Sequence, residues 1–303
     1  MKLSDIIAKK LSMLSDYAFT GQGGSVVHIN DSLQKTKGIT VIPSQNEQGA
    51  SLAADAYTRS SGKLGIVVAT SGPGIINTLQ GMACSYYDSI PSLYISGAPV
   101  RSALKKNENV RQVGFQEMDI PSIVGSFCKY VKRVMEPKDI IYEIDKAVHI
   151  AKSGRPGPVV LDLPDDIQRF EIEEKDLKIF KKDEFKTEKK EINEKDFEKF
   201  IDLLKDSERP LIIFGNGVKI SESENLCHKL IDKFKIPYCP TWAAFDMFET
   251  SDELNAGSFG VYATRHGNFS IENSDLLIIL GSRLNGTLTG SNKKNFSSKS
   301  KKI

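Results

Sequence analysis

The sequence is poor in the residues that would place it in several common classes. Among its 303 residues are four cysteines, Cys84, Cys128, Cys227 and Cys239, and they form no CxxC pair. That spacing argues against a disulfide framework and leaves reduced, mostly buried thiols as the default in a cytoplasmic protein. The four histidines, His28, His149, His228 and His266, are scattered without ligand spacing, so no metal site is expected within the chain. Basic and acidic residues nearly cancel, and a net charge of +2 makes no case for nucleic acid or an anionic membrane as partner. No apolar run approaches the roughly 20 residues of a membrane span, and the N-terminus has no signal-peptide core. Neither Gly-rich turn of the chain has GxGxxG spacing with an acidic residue about 20 positions further on, which argues against an NAD-dependent oxidoreductase.

What is present is a composition 40% hydrophobic and 26% charged, in a length that suits about two domains. The most informative stretch runs from Ser44 to Asn77 and reads as helix, strand, glycine turn, helix. Ala50, Ala53, Ala54 and Ala56 give the first helix a thin side, and Ser61-Gly62 ends it. Leu64 to Thr70 is a continuous apolar run of strand length, as expected of a strand covered on both faces. Ser71-Gly72-Pro73-Gly74 breaks it and Ile75 starts the next helix. A turn from a strand's carboxyl end into a helix start is where open α/β sheets bind ligands, because free N–H groups and the helix dipole meet there. Glu47 stands at the entrance of the first helix. Ser44 three residues before it makes a capping box one reading, and a catalytic carboxylate the other.

The remaining pattern supports an α/β fold of two successive doubly wound, mainly parallel sheets. Residues 3 to 15 have helical period; Val26 to Ile29 and Ile39 to Ile42 read as strands with a short helix between, after the Gly21-Gln22-Gly23-Gly24 turn. Thr78 to Tyr87 continues the second helix, Ser92 to Ser96 and Val159 to Leu163 are buried strands, and Ile140 to Lys152 is an amphipathic helix. A first domain is expected over 1–170. Residues 171–194, dense in Glu, Asp and Lys, read as a solvated linker, and a second α/β domain follows over 195–303. In that second part Pro210 to Phe214, Pro237 to Cys239 and Asp275 to Leu280 are strands, residues 222 to 235 a helix, and Asn295 to Ile303 a lysine- and serine-rich tail.

The string NEQGASLAADAYTRSSGKLGIVVATSGPGIINTLQGMACSYYDSIPSLYISG, which begins at Asn46, resembles the pyrimidine-binding domain of the thiamine diphosphate enzymes. Within that family the nearest resemblance is to the acetolactate synthase large subunit. It implies that Glu47, of "EQGA", activates thiamine diphosphate by hydrogen bonding N1′ of its aminopyrimidine, so a buried carboxylate is expected there. Decarboxylation of a 2-keto acid such as pyruvate and addition of the two-carbon unit to a second carbonyl would follow. The resemblance also implies cofactor contacts at Gly23, Gly24, Pro73 and Asn77, where Gly21 and Gln22 replace the family's Tyr-Pro ahead of the glycine pair. It places Gln116 near the reacting carbon, as a catalytic residue, with Phe115 and Lys129 near substrate. Lys129 read by itself is equally a surface lysine, and the polar loop before Val113 a solvated loop.

"SGRPGPV" and "SDLLIILGSRL" carry the resemblance further and imply FAD contacts at Arg155, Gly215, Gly217 and Arg283, with a plain turn as the other reading of Arg155. The family's "DDRVTG" is replaced by Asn285-Gly286-Thr287-Leu288-Thr289-Gly290. Family members bind Mg2+ and the diphosphate through a third, C-terminal domain with a GDG motif, and no GDG occurs in this sequence. The resemblance therefore implies a fragment inactive alone, with Mg2+ bound elsewhere and a homodimer or tetramer as the working unit. The alternatives are a non-catalytic truncated paralogue or binding module, and a related carboligase acting on another aldehyde or sugar acceptor.

Overall fold

A computed structural model describes residues 1–105, 109–181 and 192–303. The chain divides into two compact units, Met1–Glu188 and Lys189–Ile303.

The first unit is built on six strands, β1 (Tyr17–Thr20), β2 (Thr40–Pro43), β3 (Gly65–Ala69), β4 (Ser92–Ala98), β5 (Tyr130–Arg133) and β6 (Pro158–Pro164), in the order β2-β1-β3-β4-β6-β5. All pairings are parallel. β3, β4 and β6 are buried throughout, while the edge strands β2 and β5 are short and partly exposed. Alternation of side chains sorts each central strand between two cores. Ile66 and Val68 of β3 face a core shared with α1 (Leu3–Ser12) and α2 (Val27–Lys35), to which Ile140 and Ile144 also contribute. Val67 and Ala69 face the opposite core, with Ala50 and Ala54 of α3 (Glu47–Ser61), Ile75 of α4 (Pro73–Asn77) and Met82 of α5 (Leu79–Asp88). Each such Ile, Leu or Val taken fully from water contributes about 1.5–3 kcal/mol.

The thin side of α3 is used for close approach. A methyl on Gly65 would lie 2.3 Å from the Ala54 carbonyl oxygen, and one on Gly81 2.3 Å from Ser51 Oγ. Ala50 and Ala54 make that side; Ala56 is exposed.

Two expectations fail here for physical reasons. Val26–Ile29 is not a strand: Val26, Ile29 and Leu33 are buried at helical spacing as α2 begins, and the strand is instead Tyr17–Thr20, just before the glycine turn. The helix expected to run on through Thr78 is two helices, Pro73–Asn77 and Leu79–Asp88. Residues 171–181 lie against the first unit, with Ile172 and Leu177 packed on its core and Lys178 N–H donating to Lys138 O at 2.9 Å. Residues 182–191 of the expected linker lie outside the described residues.

The second unit has a parallel sheet in the order β10-β9-β7-β8, from β7 (Pro210–Phe214), β8 (Tyr238–Pro240), β9 (Leu276–Leu280) and β10 (Lys301–Lys302). Ile212 and Phe214 face one core with Ile231 and Phe248, and Leu211 and Ile213 the other with Phe259 and Ile271. The lysine- and serine-rich end, read from the sequence as a tail, is tied to the second sheet. Lys301–Lys302 pairs with β9, and the hydroxyls of Ser297 and Ser300 are taken up by Ile271 O at 2.6 Å and Ser274 O at 2.7 Å.

Candidate active site

In the first sheet the chain moves from β1 outward to β2, then returns to place β3 on the other side of β1. The strand order therefore reverses between β1 and β3, and the turns leaving their carboxyl ends meet there. The turn after β1 is Gly21 to Gly24, anchored by Gly21 N–H donating to Val68 O at 2.8 Å. The turn after β3 is Thr70 to Gly74, with Gly72 at φ +67°, a conformation that favours glycine.

The turns are packed and hydrogen bonded to each other. A methyl on Gly23 would lie 2.3 Å from Thr70 Cβ. Ser25 Oγ is 2.8 Å from Thr70 Oγ1 and accepts the Ser71 N–H at 2.8 Å. Ser25 and Thr70 were missed in the sequence because no spacing rule links two hydroxyls so far apart in the chain.

Glu47 is the first residue of α3, and its helix is capped by Asn46, whose Oδ1 accepts the Gly49 N–H at 2.8 Å. The capping box from Ser44 is therefore not formed, because the helix starts too late for Glu47 to occupy its third position. The carboxylate turns instead to the two glycine turns. A methyl on Gly21 would lie 2.8 Å from Glu47 Oε1, and one on Gly74 3.3 Å from the same oxygen. Asn77 Nδ2 donates to Glu47 Oε2 at 3.1 Å, while Oε1 accepts no hydrogen bond among the described residues. Glu47 is half-buried in this chain rather than fully buried.

Pro73 and Asn77 are exposed on α4, and a methyl on Gly24 would meet open space. Gln116, half-buried at φ +55°, lies on the second turn: a methyl on Gly72 would be 2.7 Å from Gln116 O and 2.9 Å from its Cβ. Its neighbour Glu117 fixes that loop by accepting the N–H groups of Lys105, Val113 (2.9 Å) and Gly114 (3.3 Å). Burial would raise the Glu117 carboxyl, but those three donors outweigh it and hold it below the usual carboxylate value. Phe115 is 83% exposed.

Lys129 and Arg155 are not brought to this cluster. They precede β5 and β6, so in a parallel sheet they lie at the amino ends of the strands, opposite the glycine turns. Lys129 donates to Ile150 O and, at 2.6 Å, Ser153 O, closing the helix Ile140–Lys152, and burial lowers its ammonium's pKa. Arg155 donates to Tyr87 O at 3.2 Å, in the last turn of α5, and to Ser89 Oγ at 2.7 Å just past it.

In the second unit, Gly215 and Gly217 follow β7 and meet the turn after β9. A methyl on Gly215 would lie 2.4 Å from Gly281 O, and one on Gly217 2.6 Å from Gly281 Cα. These glycines let the turns after β7 and β9 approach closely, and Arg283 is exposed. Among the described residues no group of three His, Cys, Asp or Glu side chains could hold a metal ion.

Residues 1–123 match the family model described as thiamine pyrophosphate enzyme, N-terminal TPP binding domain, and residues 197–303 match that of the central domain. The chain is 33% identical over 282 residues to the acetolactate synthase large subunit of Porphyra purpurea, covering 90% of this chain and 46% of that protein. It is 32% identical over 281 residues to the large subunit of Lactococcus lactis subsp. lactis, covering 92% and 48%. With the chloroplastic acetolactate synthase of Arabidopsis thaliana it shares 31% over 291 residues, covering 95% and 42%. The chain spans about half the length of the curated relatives it matches.

Proposed function

The chain belongs to the thiamine pyrophosphate enzymes, with their N-terminal cofactor-binding and central domains, and from that membership we propose an acetolactate synthase-like function in which Glu47 activates thiamine diphosphate. The observation that carries the reading is the Glu47 carboxylate, set between Gly21 and Gly74 with Oε2 held by Asn77 and Oε1 open. An unused carboxylate oxygen between two bare glycine turns fits the nitrogen edge of an aminopyrimidine. When bound, the cofactor supplies the electron sink that lets a 2-keto acid such as pyruvate lose CO2 and its remaining carbons join a second carbonyl. Glu47 accepts the hydrogen bond from the ring nitrogen and so selects the proton arrangement of the ring. Gly21 and Gly74 let that carboxylate lie against backbone, Asn77 fixes its rotamer, and Gly24 leaves space on the approach. Gln116, carried over Gly72, is the chain's own polar side chain beside the reacting region.

FAD contacts at Arg155, Gly215, Gly217 and Arg283 belong to the same proposal only through the resemblance, and Arg155 and the Gly215–Gly217 turn lie in different units. Mg2+ is assigned no ligand among the described residues. A homo-oligomeric working unit belongs to the same proposal. No helix among the described residues is long and apolar enough to cross a membrane.

Calorimetric titration of the purified chain with thiamine diphosphate tests the reading. Glu47→Gln should weaken binding by about tenfold or more, the worth of a hydrogen bond to a charged group. Equal affinity in the two proteins would leave Glu47 without the role proposed.

A further inference from the structure

Two buried amides grip the first glycine turn from behind. Asn30, 7% exposed, donates from Nδ2 to Gly21 O at 3.1 Å. Gln168, fully buried, donates from Nε2 to Ser25 O at 2.7 Å and to Leu163 O at 2.9 Å. They come from distant parts of the chain, Asn30 from α2 and Gln168 from the short helix Asp165–Gln168 that follows β6. Neither amide oxygen accepts a hydrogen bond among the described residues. A buried acceptor without a donor costs stability, and each amide bears that cost at its oxygen while its N–H satisfies backbone carbonyls. Each amide thus keeps an unpaired oxygen while its N–H holds backbone, and between them they hold the two ends of one turn.

The turn passes the constraint onward. Ser25, whose carbonyl Gln168 holds, contacts Thr70 and accepts the Ser71 N–H through its hydroxyl. Gly21, whose carbonyl Asn30 holds, is the residue against which the Glu47 carboxylate lies. We propose that Asn30 and Gln168 are positioning residues that set the Gly21–Ser25 turn and, through it, the Thr70–Gly74 turn and the place of Glu47. Neither touches the candidate cofactor position, so their effect is transmitted through backbone carbonyls. The consequence for cofactor binding rests on the reading of Glu47 given above; the coupling of the two turns is a property of the unliganded protein.

Amide hydrogen exchange of the unliganded chain tests this, with Gln168→Met as the perturbation. The Ser71 N–H has no contact with Gln168, yet its exchange should rise by about tenfold or more as Ser25 is released. The change removes an unpaired oxygen but also leaves the Ser25 and Leu163 carbonyls without the amide's N–H, so the thermal midpoint should fall modestly while exchange in the rest of the first unit stays near the wild-type level. Ser25→Ala should raise Ser71 exchange to the same level, and the double variant should go no further. Asn30→Leu, which leaves Gly21 O without this donor, should raise exchange at Gly21 N–H above any rise in the rest of the first unit. Wild-type exchange at Ser71 in Gln168→Met overturns the proposal, as does a rise spread uniformly across the first unit, which marks a merely structural amide. Titration with thiamine diphosphate forms a separate arm. Weaker binding by Gln168→Met supports the consequence for Glu47, whereas a wild-type chain that binds nothing defeats the Glu47 reading while exchange still decides the positioning claim.

Discussion

Gly21→Ala moves the Glu47 carboxylate without changing its chemistry. The added methyl would lie 2.6 Å from Glu47 Cγ, 2.8 Å from Oε1 and 3.1 Å from Cδ. Carbon atoms in contact prefer about 3.5–4.0 Å, so the side chain must withdraw by roughly 1 Å. Glu47 is half-buried and tied by one side-chain hydrogen bond, to Asn77, so it can swing outward. The stability cost is then about that of one hydrogen bond to a charged group, roughly 1.5–3 kcal/mol at most. A reacting group displaced by about 1 Å loses on the order of 100-fold in function, which corresponds to about 2.7 kcal/mol. Gly23→Ala is the control. Its methyl would meet the β-branched Thr70 at 2.3 Å, a side chain with little freedom, so about 1–3 kcal/mol should be lost from folding. Scanning calorimetry and titration with thiamine diphosphate separate the two outcomes. Gly21→Ala should fold and bind poorly; Gly21→Ala with wild-type affinity would refute the argument that Glu47 must lie against this turn.

Three further outcomes follow from the same contacts. Gly65→Ala would place a methyl 2.3 Å from the Ala54 carbonyl oxygen, which is helix backbone and cannot swing away, so denaturant unfolding of the first unit should show a loss of about 1–3 kcal/mol or more. Asp162 is fully buried and paired with Arg133 Nε at 2.5 Å, and Arg133 also donates to Met118 O near the Gln116 loop; Asp162→Ala should cost about 3–5 kcal/mol in the same experiment by leaving the guanidinium without its partner. Ser207 and the backbone N–H groups of Glu208 and Arg209 hold the Asp275 carboxyl down at about 2. Its folded value lies below the unfolded one of about 3.9, so its contribution is whole above that pH and disappears as the pH falls towards 2. Urea midpoints of the second unit, read from the single tryptophan, Trp242, should fall over that window in the wild type and fall less in Asp275→Asn.

The central strands were readable because they are covered on both faces. Gly65–Ala69, Pro210–Phe214 and Leu276–Leu280 are unbroken apolar runs, the pattern expected of a strand covered on both faces. Short edge strands leave a weaker one: Tyr130–Arg133 carries Lys132 and Arg133 and did not register as a strand. Val26–Ile29 misled because β-branched residues favour strands in isolation, while its place after a glycine turn and its buried period of three and four belong to a helix. For the site, the resemblance pointed to Glu47 and the glycine turns, and the structure removes the capping box from Ser44 by showing Asn46 as the cap. Ser25, Asn30, Thr70 and Gln168 were illegible, since their relation is set by strand order and not by any interval along the chain.

The claim on which the rest depends is that Glu47 Oε1 takes a ring nitrogen of the cofactor. A crystal structure of this chain grown with thiamine diphosphate measures it directly. The account predicts the aminopyrimidine between the Gly21 and Gly74 turns, with a ring nitrogen about 2.6–3.2 Å from Glu47 Oε1 and Asn77 still on Oε2. A cofactor bound elsewhere, or a ring whose nitrogen faces away while Glu47 Oε1 keeps no partner, would contradict it.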